Sequence, residues 1–515
     1  MSLIQNLGTW RRTVDTKIPM AQAYFDQGLR LYYAFNHAES VRAFREAQRR
    51  DPSCLMCVWG EAIALGPNIN APMDSAGEQQ ALVAAKRGMA MISNASPTAY
   101  SARDVQWMRA VAVRYVSTTN SSRAIRDSAY AKAMANIARE FPRDVDALAI
   151  AAEAQMDLSP WTYWTRDGSP LPGTEQTLKW LEKGMSLSSS HPGACHFYIH
   201  AVEAAHPERA VSCAERLAAN MPAAGHIVHM PAHIYIRVGR WADAIKANKH
   251  AIHADQEYFD GPHTSDAALY SAMYRSHNFN FLTLAAVMAG ASKIAFESSN
   301  HVTEIVTPDV ARAIPALEPM LAVPVQTLVT FGKWDAVLNT PMPPSDLRVA
   351  TSHFWYARGI AFAATGRTQE ARATVDSIRA TAQTLSPGET RTTLDIAARM
   401  VDGEIALRTG DASRAVSIYT EAALLEDGLS YMEPPTWYQP VRHSLGKALL
   451  ATGNAQAAEQ VYLADLRRFP ENGWSLMGLV QSLRAQNLKR EARAVESRYL
   501  NAWRSADISI SSSRP

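Results

Sequence analysis

The chain has 515 residues, of which 47% are hydrophobic and 19% charged, and its formal net charge is +2 at pH 7. This composition excludes a disordered chain, and the length exceeds one ordinary core, so several domains or an elongated repeat architecture are expected. The small net charge gives no reason to expect nucleic acid or an anionic membrane surface as a partner. No apolar run approaches the roughly 18 residues of a membrane span, so none is predicted.

The N-terminal segment MSLIQNLGTWRRTVDTK lacks the basic-then-apolar order of a signal peptide. As written, it predicts a cytoplasmic protein. If the chain instead begins at a mature N-terminus, a periplasmic or secreted protein is expected. Residues 1–20 are predicted to form an N-terminal extension that precedes the repeats.

The four cysteines are too few for a disulfide scaffold. Cys54 and Cys57 form a C-L-M-C pair at a predicted helix start, with no strand pattern nearby. This context favours two small, half-buried thiols over a functional pair.

Apolar residues recur three and four positions apart through most of the chain, which predicts helices throughout. Glycine-led turns such as GRWADAI at 239 and GNAQAAE at 453 are typical of the bend inside a helical hairpin. Residues 21–54 match the tetratricopeptide unit of about 34 residues, with Gly28, Phe44 and Pro52 at its small, aromatic and proline positions. Further units begin at residues 191, 225 and 439.

One hairpin of this kind cannot bury its apolar face alone, whereas stacked hairpins can, and the stack forms a concave groove. The predicted fold class is therefore all-α, a single tetratricopeptide-type helical solenoid over 21–505. Its predicted parts are histidine-rich repeats at 191–281, C-terminal repeats at 350–505, irregular insertions at 66–76, 159–174, 260–266 and 339–346, and a disordered tail at 506–515.

Seven of the 15 histidines lie between residues 191 and 235. The repeat register, set by the small residues, assigns six side chains to groove-lining positions on two neighbouring helices. Histidines four residues apart share one helical face, about 5–6 Å apart at Cβ, so the pairs are expected to converge on a metal centre. A groove that grips an acidic peptide through imidazoles is the alternative. The six groove-lining residues are His196, His200, Glu203, His226, His229 and His233.

Further residues are predicted to join this centre. His277 and His37 are candidate ligands, and neutral imidazoles suit copper, iron or zinc, with copper preferred and one or two ions expected. Trp59 and Asn70 are candidate substrate contacts in the segments C-V-W-G-E-A and G-P-N-I-N. Glu61 is a candidate base.

The segment Y-M-E-P-P-T-W-Y-Q-P-V-R-H at 431–443 collects aromatic and charged side chains in a proline-rich loop. It could form a substrate wall for an aromatic or carboxylate-bearing molecule, or it could be a packed loop. The candidate substrate contacts are Glu433, Trp437, Arg442 and His443, with Tyr438 as a candidate catalytic residue.

Four motifs together resemble a large, poorly characterised bacterial family of tetratricopeptide-repeat proteins. They are F-N-H-A-E-S-V-R-A-F-R-E-A, C-V-W-G-E-A with P-N-I-N, H-P-G-A-x-H-x-Y-I-H, and G-H-I-V-H-M-P-A-H-I-Y. The resemblance covers nearly the whole chain and includes Y-x-E-P-P-x-W-Y. It implies a tetratricopeptide fold, and its motifs imply a metal site. Many relatives carry export signals, which this chain does not show.

Together these patterns predict a copper- or iron-dependent oxidoreductase that acts on a small organic, possibly aromatic, substrate. A zinc-dependent hydrolase with Glu203 or Glu61 as base is the first alternative. A non-catalytic metal-binding protein, or a scaffold that holds a peptide or protein in its groove, is the second. No nucleic-acid partner is expected, and the sequence does not indicate an oligomeric state.

Overall fold

Helices follow one another along the chain, and glycine and proline stand mostly between them, as the helical periodicity requires. The computed structural model describes residues 2–73, 75–115, 122–261 and 268–515. Within those ranges the only β-type pairing is two isolated bridges, Asn68 with Ala71 and Trp164 with Pro170. The predicted all-α fold, in which consecutive helices pack as hairpins, is confirmed over the described residues. None of the helices in the described ranges has the length and apolarity needed to cross a membrane.

The chain divides into two compact units, where the sequence predicted a single solenoid. The first comprises Met1–Ile234 and His250–Tyr270, and the second Tyr235–Lys249 and Ser271–Pro515. Helices Pro231–Arg237 and Trp241–Asp260 contribute residues to both. The helices of the first unit are Pro19–Tyr33, His37–Arg50, Leu55–Ala64, Ser75–Asn94, Ala102–Arg114, Arg123–Glu140, Val145–Met156, Thr174–Leu187, Pro192–Val202, the 3-10 turn Pro207–Ala210, Val211–Asn220, Gly225–His229 and Ala268–Tyr270.

The second unit has the same hairpin organisation over its C-terminal half, where long helices alternate with short turns. It begins with a π-helical turn at Ser271–Arg275. Its remaining helices are Ser276–Met288, Ser292–Ile305, Pro308–Ala313, the 3-10 segment Pro315–Ala322, Val323–Thr330, Trp334–Asn339, Arg348–Ala364, Thr368–Thr384, Glu389–Arg408, Ala412–Asp427, Val441–Ala451, Ala455–Arg468, Gly473–Ala485 and Lys489–Ala502.

A glycine–aromatic contact explains the repeat register. A Cβ placed on Gly28 would lie 2.9 Å from the ring of Phe44, in the second helix of the same hairpin. In the second unit, a Cβ on Gly446 would likewise overlap the ring of Tyr462, at the same spacing along the chain. The two helices of a hairpin approach closely only where no side chain intervenes, so the small residue recurs.

Three predicted insertions are loops between helices in the described ranges, at 65–73, 157–173 and 340–347. The indole Nε1 of Trp161 donates a hydrogen bond to the carbonyl of Ile69 at 2.9 Å, so the first two loops contact each other. Nearly all of the fourth insertion, 260–266, lies outside the described residues.

The N-terminal extension packs against the first unit rather than preceding it as a separate segment. The Arg12 side chain is buried and forms ion pairs with Asp144 at 2.8 Å and Asp146 at 3.2 Å. Its guanidinium also lies 4.1 Å from the ring centroid of Trp107. Residues 1–20 therefore contribute to the core of this unit.

Replacing Arg12 with alanine is expected to lower the free energy of unfolding by about 3–5 kcal/mol, because it leaves buried carboxylates without their cation. Arg11 is the matched control, because its side chain is 62% exposed and lies 3.8 Å from Asp26. Arg11→Ala should cost less than about 1 kcal/mol. Urea denaturation of the two variants checks this, and equal midpoints would show that the extension is not part of the core.

The predicted disordered tail differs from the structure, in which residues 506–515 contact the second unit. The Ser513 hydroxyl donates a hydrogen bond to the carbonyl of His443 at 2.8 Å. The Arg514 guanidinium donates to the side chain of Gln439 at 2.5 Å, and Arg514 is only 7% exposed. A serine-rich composition predicts disorder only for a segment that makes no specific contacts. This segment is held by the hydrogen bonds of Ser513 and Arg514.

The prediction of half-buried thiols at Cys54 and Cys57 is corrected by the structure. Both residues are fully buried, and a disulfide joins them. A second disulfide joins Cys195 and Cys213, so the described residues contain no free cysteine. It links two helices beside the histidine-rich segment.

Candidate metal site

Helix Pro192–Val202 carries the first two histidines of the site. His191 caps it by accepting a hydrogen bond from the backbone N–H of Ala194 at 2.9 Å, and Pro192 occupies its first position. Because Gly193 has no side chain, the helix approaches the ring of Tyr33 closely. His191 itself bonds Asp146 at 3.0 Å, so it has a structural role.

The other three histidines lie on the segment from Gly225 to Arg237. Helix Gly225–His229 ends before Met230, and Pro231 begins the helix Pro231–Arg237, which carries His233. Proline has no N–H to donate to the preceding turn, so one backbone hydrogen bond is absent there. The interruption does not separate the pair that flanks it, because the rings of His229 and His233 lie 4.8 Å apart.

Five imidazoles meet inside the first unit, each no more than 2% exposed. One ring nitrogen from each of His196, His200 and His226 lies within 4.8 Å of the other two, close enough to share a metal ion. The Nε2 atoms of His196 and His226 are 3.1 Å apart. His233 lies beside this group, with its ring 5.4 Å from that of His200. The ring of His229 is 6.0 Å from that of His226.

The hydrogen bonds at the Nδ1 atoms fix which nitrogen of each ring is available. His196 Nδ1 lies 2.7 Å from the carbonyl oxygen of Tyr33. The Nδ1 atoms of His200 and His233 lie 2.9 and 2.5 Å from the two carboxylate oxygens of Glu203. Since carbonyl and carboxylate oxygens only accept, all three Nδ1 atoms donate, and in the neutral rings Nε2 keeps its lone pair.

Burial sets the charges of the site. It lowers the pKa of His196 well below the usual value, and the neighbouring charge of His200 adds to this effect. Burial also lowers the pKa of His200 and, with the other histidines, that of His226. Burial opposes ionisation of Glu203 too, but the charge of His233 and the two imidazole hydrogen bonds outweigh it and lower the carboxyl pKa to about 2. At neutral pH His196, His200 and His226 are therefore neutral, and Glu203 is a carboxylate.

Two aromatic residues in unusual backbone conformations enclose the imidazoles. Phe35 has φ 55° and Trp161 has φ 63°, in the left-handed region that bulky residues rarely adopt. The Phe35 ring lies 4.5 Å from that of His196 and 5.4 Å from that of His226. The Trp161 ring lies 5.2 Å from that of His200. Sequence analysis assigned neither residue to the site, although both lie in segments that it singled out.

No family model matches the chain, and no curated protein matches it. Among solved structures, the human IFIT1 dimer with m7Gppp-AAAA is similar over 95% of this chain and 91% of that chain, with 12% identity and a TM-score of 0.36. A monomeric IFIT1 mutant with Gppp-AAAA covers the same shares, with 13% identity and a TM-score of 0.35. At this level the similarity carries no inference about function. The resemblance to the bacterial repeat family remains a prediction.

The structure places Glu203 against two imidazoles, in a group with His200 and His233 whose ligand atoms lie within 4.8 Å of one another and could hold a metal ion. A carboxylate with a pKa of about 2 is a weak base, and each of its oxygens already accepts an imidazole N–H. Such a carboxylate orients metal-binding histidines and makes them better donors. Glu203 is therefore an orienting group, and the prediction of a catalytic base is corrected.

Glu61 and Trp59 also differ from their predicted roles. The Glu61 carboxylate bonds Arg45 at 2.7 Å and Arg87 at 2.5 Å. Burial opposes its ionisation, but the hydrogen bond from Arg45 helps to lower its pKa, which makes it a poor base. Trp59 is fully buried with its ring 5.0 Å from that of Trp107, so it packs in the core instead of facing a groove.

His37 and Asn70 lie in the first unit but outside the histidine groups. No group of three or more metal-binding residues in the described ranges includes His37. Its Nδ1 donates to the carbonyl of Gly66 at 3.3 Å, and its ring stacks on Tyr32 at 5.1 Å. Asn70 is half-buried, and its backbone N–H donates to the side chain of Asn68. A substrate contact at Asn70 remains a prediction.

The predicted substrate wall at 431–443 lies in the second unit and is largely buried. His443 is 3% exposed and bonds Asp465 at 3.1 Å. Arg442 forms an ion pair with Asp427 at 2.7 Å. These side chains are paired within their own unit, which is typical of a packed loop.

The other residues of this segment are buried as well. Trp437 is 2% exposed and contacts Tyr356, with ring centroids 5.2 Å apart. Tyr438 is 5% exposed, and Glu433 lies 3.7 Å from Arg237. The burial of these side chains favours the packed-loop alternative over a substrate wall, and a catalytic role for Tyr438 remains a prediction.

His277 belongs to the second unit, on helix Ser276–Met288. It is half-buried, and its ring lies 4.9 Å from that of Phe281. A ligand role for His277 remains a prediction.

Proposed function

We propose that the first unit holds a transition-metal centre whose ligands are the Nε2 atoms of His196, His200 and His226. The observation that carries this proposal is the hydrogen bonding at Nδ1. His196 and His200 each donate Nδ1–H to an oxygen, which leaves the opposite nitrogen unprotonated inside the cluster. The Nε2 atom of His200 is buried and has no hydrogen-bond partner among the described residues. A buried lone pair without a donor fits a metal ligand.

The donor set favours copper over iron. Non-haem iron(II) sites of oxygenases commonly use two histidines and one carboxylate, but Glu203 is already engaged by His200 and His233. All cysteines of the described chain are in disulfides, so no thiolate is available. Neutral imidazoles without carboxylate or thiolate suit copper or zinc. His229 and His233 are the donors for a second ion.

We propose that the centre catalyses an oxidation of a small organic substrate. Copper would supply one-electron redox chemistry there. The chain's own contribution is to keep the Nε2 atoms of His196 and His200 unprotonated and to exclude water with Phe35 and Trp161. Three histidine ligands leave a coordination position for a substrate, as in catalytic metal sites.

A zinc-dependent hydrolase is the second candidate, because three histidines also suit zinc with a bound water. The low pKa of Glu203 disfavours it as the general base of that reaction.

We place the protein in an oxidising compartment, such as a periplasm or the cell exterior. Two buried disulfides support this, because structural disulfides are rare in a reducing cytoplasm.

Elemental analysis with electron paramagnetic resonance and absorption spectra tests the proposal on protein purified without a histidine tag. About one or two copper ions per chain are expected, bound through imidazole nitrogen. Stoichiometric zinc with no copper would replace the oxidoreductase with the hydrolase. Absence of any transition metal, even after reconstitution with copper or zinc salts, would leave only the scaffold.

A further inference from the structure

A second polar cluster lies in the first unit, apart from the imidazoles. Glu153 and Asp157 are four residues apart at the end of helix Val145–Met156, and Tyr130 is on helix Arg123–Glu140. Glu153 and Tyr130 are fully buried, and the Asp157 side chain is 2% exposed. Burial at this level is unusual for two carboxyl groups on adjacent helical turns.

Several polar atoms of this cluster are buried without a hydrogen-bond partner among the described residues. Native proteins have few such atoms, so their concentration in one place calls for an explanation. The atoms are Glu153 Oε1, Asp157 Oδ1, Tyr130 Oη, Tyr163 Oη and His37 Nε2.

Tyr32 links these groups. Its hydroxyl donates to Glu153 Oε2 at 2.7 Å, and its ring stacks on His37. Since His37 donates its Nδ1–H to a carbonyl, its Nε2 is an acceptor in the neutral ring. Once Glu153 is ionised, its Oε1, Asp157 Oδ1 and His37 Nε2 are three buried acceptors without a partner among the described residues, and an ammonium group has three N–H donors.

The charge balance also leaves room for one cation. Asp157 forms an ion pair with Arg114 at 2.9 Å, and Asp127 forms one with the same guanidinium at 2.8 Å. Glu153 has no cation within ion-pair distance among the described residues, and its carboxylate accepts a hydrogen bond from Tyr32. Burial and the charge of Asp157 raise the pKa of Glu153 well above its usual value, so without a ligand its carboxyl keeps its proton.

We infer that Glu153, Asp157 and His37 bind the primary ammonium group of a small molecule, with the hydroxyl groups of Tyr130 and Tyr163 beside it. On binding, Glu153 loses its proton to solvent and pairs with the ammonium. A metal ion fits less well, because none of the three-residue metal groups in the described ranges includes these carboxyls.

The cluster lies next to the histidine site. Phe35 contacts the rings of both His37 and His200, at 6.2 and 6.0 Å. The Tyr163 phenol is within electrostatic range of both Glu153 and Glu203. An amine anchored here would present the rest of its chain to the imidazoles. That this amine is the substrate rests on the proposed function, whereas the binding itself does not.

Calorimetric titration of the full-length, metal-free protein with propylammonium chloride tests the inference. One ammonium should bind per chain, and Glu153 should release a proton on binding. Because the buffer takes up this proton, the measured heat should depend on which buffer is used. 1-Propanol, which lacks the charge, and tetramethylammonium, which lacks N–H groups, should bind at least about tenfold more weakly.

Glu153→Gln should weaken propylammonium binding by about tenfold or more, and Tyr163→Phe by about threefold, since each removes one partner. The control is Tyr198→Phe, because the Tyr198 hydroxyl bonds Glu182 outside the cluster. Equal binding of 1-propanol, or unchanged affinity in Glu153→Gln, would overturn the inference. If Glu153→Gln does not fold, the inference is tested by the wild-type protein alone, through its preference for propylammonium over 1-propanol and tetramethylammonium. Because the assay uses metal-free protein, its outcome is independent of the metal proposal.

Discussion

Simultaneous replacement of His200 and His226 by alanine is expected to reduce the metal content to below about a tenth of an ion per chain at the first centre, because a single imidazole remains. A metal that binds only the folded state stabilises it, by about 4 kcal/mol at a thousandfold excess over Kd. Copper addition should therefore raise the melting temperature of the metal-free wild-type protein by several degrees. The same addition should raise that of the double variant by less, because only the His229 and His233 donors remain.

The matched control removes two histidines that are exposed. His253 and His301 each pair with a glutamate one helical turn away, and their side chains are 75% and 40% exposed. His253→Ala with His301→Ala should keep full metal content and the same melting shift. Retention of the metal in His200→Ala/His226→Ala, with unchanged copper stabilisation, would contradict the site. Comparing metal-free proteins separates loss of metal from loss of fold.

The repeat register could be read from the sequence because it depends on local rules. Gly28 is small and Phe44 is large because the two helices of one hairpin pack closely at this point. Their contact lies within one repeat. The convergence of His196 with His226 followed from the register, because neighbouring units place equivalent positions side by side. The histidine cluster was therefore predictable from spacing alone.

Residues outside this local register were predicted less well. Phe35 and Trp161 reach the imidazoles through left-handed backbone conformations that no periodic pattern encodes. Trp59, a predicted substrate contact, packs in the core against Trp107 from a later helix. Such contacts depend on how distant segments meet, which spacing within a repeat does not specify.

The roles of carboxylates were the least accessible from sequence. Glu61 and Glu203 both lie near motif residues in the sequence. Their roles differ because their hydrogen-bond partners differ. Two arginines neutralise Glu61, and two imidazoles engage Glu203. Glu153 lies in none of the sequence motifs. It is distinguished by the absence of a cation beside its buried carboxyl group among the described residues, which the sequence does not reveal.

Glu203→Gln is expected to weaken metal binding by about 10–100-fold although no ligand is removed. The carboxylate accepts N–H from both His200 and His233. A glutamine has one accepting oxygen, and its amide nitrogen only donates, so one histidine has to place its proton on Nε2 instead. That histidine then lacks its Nε2 lone pair. Copper affinity measured by competition with a chelator checks this.

The control is Glu182→Gln, because Glu182 is half-exposed and bonds Tyr198 and Arg209 instead of histidines. Its metal affinity should equal that of the wild type. Glu203→Asp keeps the charge but shortens the reach, so its affinity should fall between those of the wild type and the glutamine variant. If Glu203→Gln lost metal as completely as the double histidine variant, Glu203 would be a ligand. An unchanged affinity would mean that Nδ1 donation does not set the tautomers, and the argument for Nε2 ligation would fail with it.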